Sequence, residues 1–109
     1  MAEINKETKI QNEIRIALSN MGCKVFRANV GLFYTQDLRP IKIGTPGFSD
    51  LHGHTPDGRA FYIETKTLTG KASEQQKVFL DQMRKSGAIA GQARSVEDAI
   101  KLITEDKDE

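Results

Sequence analysis

Residues 47–66 read GFSDLHGHTPDGRAFYIETK, two strand-like runs on either side of the turn Pro56-Asp57-Gly58. Pro and Asp suit the two central positions of a type I turn, and Gly suits the left-handed residue that follows. A three-residue hairpin loop of this kind pairs the two residues that flank it. Counting back along both strands then predicts that Asp50 lies directly opposite Glu64.

The two facing carboxylates are the feature that points to chemistry. Facing side chains in an antiparallel pair have Cβ atoms about 5 Å apart, and like charges there are unfavourable. A divalent cation between Asp50 and Glu64 would remove that penalty. Mg²⁺ prefers oxygen ligands and needs only one or two carboxylates. The simpler alternative is that both carboxylates are solvated on an exposed sheet face.

The residues around the carboxylates favour an organised charge cluster. Alternate strand side chains share a face, so Lys66 projects beside Glu64 while Phe61 and Ile63 point into a core. We predict the Thr65 carbonyl as a third protein ligand of the cation. The Lys66 ammonium would orient an attacking water or stabilise a phosphate charge. This set suits the hydrolysis of a phosphodiester bond with Mg²⁺ or Mn²⁺.

Length and composition indicate one small domain spanning residues 1–109. The single cysteine, Cys23, excludes an internal disulfide and fits a reducing compartment. No apolar run approaches the length of a membrane span, so we expect no membrane partner. These features predict an intracellular, cytoplasmic protein.

Charge is unevenly distributed along the chain, although the net charge is only +1. Residues 21–72 carry a net charge of +3, and residues 104–109 carry −3. Local positive charge is what attracts a phosphate backbone, so the basic middle is compatible with a nucleic-acid partner. Composition alone favours the alternative, ordinary surface charge. The candidate DNA contacts are Arg27, Asn29, Lys42 and Lys71.

Hydrophobic periodicity and turn residues predict an α/β fold, a mixed sheet flanked by helices in the order α-β-(β)-β-β-α-β-α. Ser73 and Gln76 fit a capping box at the start of the second helix, and Gly87 fits its end. The segment 31–40 is predicted as a loop with some strand character. The predicted helices are 6–21, 73–86 and one that Ser95 caps; the predicted strands are 23–30, 41–43, 47–55, 59–66 and 88–93.

The order and spacing of these residues resemble the VRR-NUC family within the PD-(D/E)xK nuclease superfamily. The resemblance covers about residues 7–103 and leaves 104–109 as an acidic tail. It rests on Glu13, Arg27-Ala28-Asn29, Gly47-Phe48-Ser49-Asp50, Glu64-Thr65-Lys66, Ser73-x-x-Gln76 and Gly91-x-Ala93-Arg94-Ser95-Val96-Glu97-Asp98-Ala99.

The resemblance implies a restriction-endonuclease-like fold and a metal-dependent DNA endonuclease of the stand-alone phage or bacterial type. Such proteins are similar to Holliday junction resolvases, which implies a homodimer that acts on branched DNA. Two other functions stay open. The chain could be a catalytically inactive DNA-binding module of the same fold, or a nuclease directed at RNA.

The resemblance also implies roles for individual residues. Glu13 would join the two facing carboxylates as a metal-site residue, and Lys66 would be the catalytic lysine. Gln76 would support the site or contact DNA. From the residues alone, Glu13 fits a solvated helix position equally well and Gln76 is explained as a capping partner. The family's usual Pro before the first carboxylate is Ser49 here, which changes the local backbone constraint and removes no chemical group.

Overall fold

A computed structural model describes residues 6–28, 31–45 and 47–105, and in these ranges it has three helices and six strands. The helices are α1 (Lys6–Asn20), α2 (Glu74–Lys85) and α3 (Val96–Glu105). The strands are β1 (Lys24–Arg27), β2 (Gly31–Tyr34), β3 (Pro40–Ile43), β4 (Leu51–His54), β5 (Ala60–Thr65) and β6 (Ile89–Ala93). The predicted fold class, a mixed α/β fold, is confirmed.

Four of the strands form one mixed sheet in the order β1-β4-β5-β6. The β1–β4 and β4–β5 pairs are antiparallel, whereas β5 and β6 are parallel. A parallel pair requires a long crossover connection, and α2 provides it. The β4–β5 hairpin thus lies in the middle of the sheet, with a neighbour on each side.

The two faces of the sheet carry different helices. Phe61 and Ile63 of β5 are fully buried in the hydrophobic core with Ile14 of α1 and Ile103 of α3. The even-numbered residues of β5 face α2 instead, as the edge-on contact between the rings of Tyr62 and Phe79 illustrates. This alternation follows from the period of two in a strand, and it places Glu64 under α2.

Helix ends follow the sequence signals. The Ser73 hydroxyl accepts from the Gln76 amide, and the Gln76 side chain accepts from the Ser73 amide, which completes the predicted capping box. The chain leaves α2 through Gly87 at φ 99°, a left-handed conformation that suits glycine. In the described ranges, no helix combines the length and apolarity that crossing a bilayer requires.

The segment between β1 and β4 contains two strands where the predicted order allowed one. Strands β2 and β3 pair with each other in a separate antiparallel ribbon. The turn that joins them repeats the hydrogen bonds of the β4–β5 turn. In Thr35-x-Asp37-x-Arg39 and in Thr55-x-Asp57-x-Arg59 alike, the Thr amide donates to the Arg carbonyl at 2.9 Å. In both turns the Arg amide also donates to the Thr hydroxyl at 3.0 Å.

Candidate active site

The β4–β5 register is the one that the turn predicts. Leu51 pairs with Ile63, and the same register continued by one residue sets Asp50 opposite Glu64. The backbone ladder also continues towards β1, because the Ala28 amide donates to the Asp50 carbonyl at 2.9 Å. The backbone of Asp50 is therefore held on the β1 side, although the residue lies just before β4 begins.

Thr65 fixes the orientation of the Asp50 carboxylate. Oδ2 of Asp50 accepts one hydrogen bond from the Thr65 amide at 3.0 Å and another from the Thr65 hydroxyl at 2.8 Å. Thr65 is fully buried, so this anchor is rigid. Only the carbonyl of Thr65 was predicted to belong to the site. The structure adds a role for its amide and side chain, which hold the neighbouring carboxylate in one position.

The approach to Asp50 explains how Ser49 is accommodated in place of proline. Ser49 is fully buried, and its hydroxyl donates to the Leu51 carbonyl at 3.0 Å. This local bond constrains the backbone where a proline ring would otherwise do so. Gly47, at φ 85°, passes so close to α2 that a Cβ atom there would lie 2.7 Å from the Gln75 carbonyl oxygen. Glycine is therefore required at that position.

Phe48 joins the approach segment to both α2 and the sheet. Its ring lies 5.0 Å from Phe79, 5.2 Å from His52 and 6.0 Å from Tyr62, measured between centroids. All three contacts are edge-on, which is a favourable arrangement for aromatic pairs. These contacts fix α2 against the hairpin and thereby fix the position of the α2 residues that reach Glu64.

Glu64 is a buried carboxylate with polar partners on one oxygen. Its Oε2 accepts a hydrogen bond from Gln76 Nε2 at 2.5 Å and lies 3.4 Å from Lys66 Nζ. Gln76 therefore contributes to the helix cap with its oxygen and to the site with its nitrogen. The other oxygen, Oε1, is buried and has no hydrogen-bond partner among the described residues.

The surroundings of Glu64 raise the pKa of its carboxyl group to about 7. Burial is the largest cause, and the nearby Asp50 charge adds to it. Lys66 acts in the opposite direction but does not cancel these effects. Ionising Glu64 is therefore less favourable than ionising a solvated glutamate, and additional positive charge nearby would favour it.

The carboxylate pair fits a hard divalent cation. Asp50 offers an oriented carboxylate, and Glu64 offers a buried oxygen that lacks a partner. A cation would satisfy that oxygen and would screen the repulsion between the two groups. In the described ranges, however, no three His, Cys, Asp or Glu side chains are grouped so that they could hold a metal.

Glu13, the third predicted acidic residue, is not grouped with Asp50 and Glu64 as a metal-binding cluster within the described ranges. It is exposed on α1 and lines a cavity of about 570 Å³ together with Lys6 and Lys9. The opposite wall of this cavity is formed by residues 67–69, which directly follow Lys66. Glu13 thus lies across this cavity from the loop that follows Lys66 in sequence.

The predicted DNA contacts occupy different parts of the fold. Arg27 ends β1 and is exposed, one residue before the Ala28 that pairs with Asp50. Lys71 is exposed in the loop between β5 and α2. Lys42 lies in β3, paired with Leu32 in the separate ribbon. Asn29 lies outside the described residues.

Arg94 contacts the site region although no role was predicted for it. Its Nη1 donates to the carbonyls of Thr67 and Gly70, in the loop that follows Lys66. Arg94 is one of the residues on which the resemblance to the VRR-NUC family rests, and no other feature of the sequence pointed to a role for it. The anchoring side chain of Thr65 had no such signal beyond its place between Glu64 and Lys66.

The raised pKa of Glu64 predicts how stability depends on pH without added metal. Between pH 4.5, the ordinary value, and about pH 7, the folded chain keeps a proton that the unfolded chain releases. Stability should therefore fall as pH rises through this window, by on the order of 3 kcal/mol. We expect Glu64→Gln to remove this fall in urea unfolding experiments with a chelator present. An identical pH slope in the parent and the variant would contradict the assignment.

Two comparisons with known proteins agree with this architecture. The family model of the VRR-NUC domain matches residues 5–97. A solved structure described as a VRR_NUC domain superposes with a TM-score of 0.68 at 23% identity, covering 92% of this chain and 96% of the other. A second, a VRR_NUC domain protein, gives 0.54 at 14% identity, covering 97% and 91%. At these identities the likeness to the solved structures shows the fold alone. A search of curated proteins found no match.

Proposed function

Because the chain belongs to the VRR-NUC family, we propose that it is a metal-dependent endonuclease that hydrolyses phosphodiester bonds in DNA. The supporting observation is the environment of Glu64. This buried carboxylate has an unpartnered oxygen, faces Asp50 and lies 3.4 Å from the Lys66 ammonium. Family membership supports the nuclease class, and the hairpin supports the choice of residues.

The proposed roles divide between residues that bind the cation and Lys66, which acts on the water or the phosphate. A bound Mg²⁺ or Mn²⁺ would supply positive charge for the scissile phosphate and a more acidic water. Asp50 and Glu64 would hold the cation, and the Thr65 carbonyl and Glu13 are the further proposed ligands. Lys66 orients the attacking water or stabilises the charge that develops on the phosphate.

Branched DNA, such as a Holliday junction, is the proposed substrate, and a homodimer is the proposed assembly. Both follow from the resemblance to stand-alone junction-cleaving relatives. A dimer would place two copies of the site on one junction, so that two strands could be cut together. Arg27 and Lys71 are exposed on the chain near the site and are proposed phosphate contacts, together with Asn29 and Lys42.

A labelled substrate panel tests the proposed activity directly. Single-stranded, duplex, flap, fork and four-way DNA, with RNA counterparts, are incubated with Mg²⁺, Mn²⁺ or a chelator. We expect cleavage of four-way or forked DNA that depends on the cation and is lost in Glu64→Gln. Binding without cleavage in either cation would favour the inactive DNA-binding module. Cleavage confined to RNA would show that the substrate is RNA rather than DNA.

The proposed homodimer is tested by sedimentation of the chain at assay concentration, alone and with a four-way junction. A dimer under both conditions is expected. A monomer that still cuts the junction would remove the proposal of paired cuts by two copies.

Gln76 and Ser73 form a matched pair of variants, because both belong to the capping box and only Gln76 touches Glu64. Ser73→Ala and Gln76→Ala should each lower the free energy of unfolding by about 1 kcal/mol. Only Gln76→Ala should also slow cleavage, by roughly 10–100-fold, because it removes the hydrogen bond that orients Glu64. Denaturant unfolding and single-turnover cleavage measure the two effects. Equal slowing by both variants would assign the effect to the helix cap.

A further inference from the structure

Arg94 ties two distant parts of the chain together beside the proposed site. From the residue after β6, its Nη1 reaches the Thr67 carbonyl and, at 2.7 Å, the Gly70 carbonyl. These acceptors precede Arg94 by 27 and 24 residues. A guanidinium suits this task, because its planar array of donors can serve two carbonyls at once.

The segment that Arg94 holds is a tight turn against the side chain of Lys66. The Gly70 amide donates to the carbonyl and to the hydroxyl of Thr67, each at 3.2 Å. A Cβ atom added to Gly70 would lie 3.6 Å from Cδ of Lys66, so the turn runs along the lysine stem. The Lys66 side chain is only 12% exposed, which limits the directions in which its ammonium can point.

Hydrogen bonds also fix the backbone from which the Arg94 side chain extends. The Lys66 amide donates to the Ala93 carbonyl at 3.0 Å, immediately before Arg94 in sequence. The Arg94 amide donates to Asp98 Oδ2 at 2.9 Å, and the Asp98 amide donates to the Ser95 hydroxyl at 3.1 Å. The start of α3 therefore sets where the Arg94 side chain begins, and its guanidinium sets where the 67–70 turn lies.

We propose that Arg94 is a positioning residue for Lys66: it holds the Thr67–Gly70 turn against the lysine stem and thereby keeps the ammonium beside Glu64. The proposal rests on the proposed function, in which Lys66 acts during cleavage. Arg94 itself touches backbone carbonyls of the turn, so it acts through Lys66.

Arg84 provides a matched control for a purely structural role. Its Nε donates to the Ala90 carbonyl at 3.1 Å, so it too joins an arginine side chain to a backbone carbonyl. It lies on α2, and its acceptor is in strand β6 rather than in the turn beside Lys66. A general loss of stability would affect Arg84→Ala and Arg94→Ala alike.

Chemical modification of Lys66 tests the positioning without any need for nuclease activity. The folded parent, Arg94→Ala, Arg94→Lys and Arg84→Ala are reductively methylated at one pH, and mass spectrometry follows the peptide that contains Lys66. We expect modification of Lys66 to be about tenfold faster in Arg94→Ala, intermediate in Arg94→Lys and unchanged in Arg84→Ala. Equal protection of Lys66 in all four proteins would overturn the proposal. Should Arg94→Ala not fold, Arg94→Lys carries the same comparison.

Cleavage kinetics supply the second measurement. Arg94→Ala should lower kcat by roughly 10–100-fold with little change in KM for DNA, and Arg94→Lys should restore part of the rate. A raised KM with unchanged kcat, or an equal loss in Arg84→Ala, would overturn the positioning role. A parent chain that fails to cleave any substrate would instead overturn the proposed function, while the methylation result would still decide whether Arg94 shields Lys66.

Discussion

Asp50→Asn is expected to lower the rate of DNA cleavage about a thousandfold or more while the chain stays folded. The asparagine oxygen can still accept the hydrogen bonds from the Thr65 amide and hydroxyl, so the hairpin keeps its anchor. The variant loses the negative charge that would bind the cation. The substitution should also lower the pKa of Glu64, because the negative charge of Asp50 is one of the causes that raise that pKa.

Single-turnover cleavage of the best substrate, with DNA affinity and thermal unfolding measured in parallel, checks this expectation. Asp57→Asn is the matched control, since it removes the same charge from the turn of the same hairpin. DNA affinity and melting temperature should stay close to those of the parent in both variants. Cleavage by Asp50→Asn at nearly the parent rate would show that the Asp50 carboxylate is not needed for the reaction.

Lys66→Met is expected to slow cleavage by about a hundredfold or more while Mg²⁺ binding is largely retained. Methionine preserves an apolar stem against the 67–70 turn and removes only the ammonium. Because Lys66 lowers the pKa of Glu64, its loss should raise that pKa further above 7. Glu64 must be ionised to hold a cation, so the pH at which Mg²⁺ binds half-maximally should move upwards.

Calorimetry with Mg²⁺ and cleavage rates measured across pH separate these two effects. Lys71→Met, which removes an exposed lysine from the same loop region, should leave the cleavage rate of bound substrate unchanged. If Lys66→Met abolished Mg²⁺ uptake, Lys66 would be needed for the metal site itself and its proposed role in catalysis would be wrong.

The parts of the site that sequence could predict depend on local rules. The Pro56-Asp57-Gly58 turn sets the hairpin register, and strand alternation places Lys66 beside Glu64. The capping box of Gln76 was also readable, because it depends on residues three apart. Its second contact, with Glu64, was implied only by the resemblance.

Other contacts were not predictable because they depend on how separate elements pack. Asp50 lies just before β4, and its side chain accepts hydrogen bonds from the amide and hydroxyl of Thr65, the residue next to its facing partner Glu64; strand alternation does not predict such a contact. Arg94 meets its partners across more than twenty residues, and no periodic pattern records such a contact.

The strand 41–43 was predicted, but β2 and its pairing with β3 were missed for a local reason. Its turn has the same Thr-x-Asp-x-Arg frame as the β4–β5 turn, but Leu38 occupies the position that Gly58 holds there. Leu38 adopts φ 67°, close to the φ 86° of Gly58, although leucine rarely takes this conformation. Because Leu38 rather than glycine occupies this position, the turn was not predicted, although its threonine, aspartate and arginine match those of the β4–β5 turn.

The two facing carboxylates proposed to hold the cation, Asp50 and Glu64, sit on one hairpin, and only thirteen residues lie between them. Closing so short a loop costs little chain entropy, and that cost is met when β4 and β5 pair, before any ion arrives. Retention of the ion should therefore track fraying of this single ribbon rather than melting of the whole molecule. A chain whose three helices remain docked could still lose its ion whenever the open end of that ribbon separates.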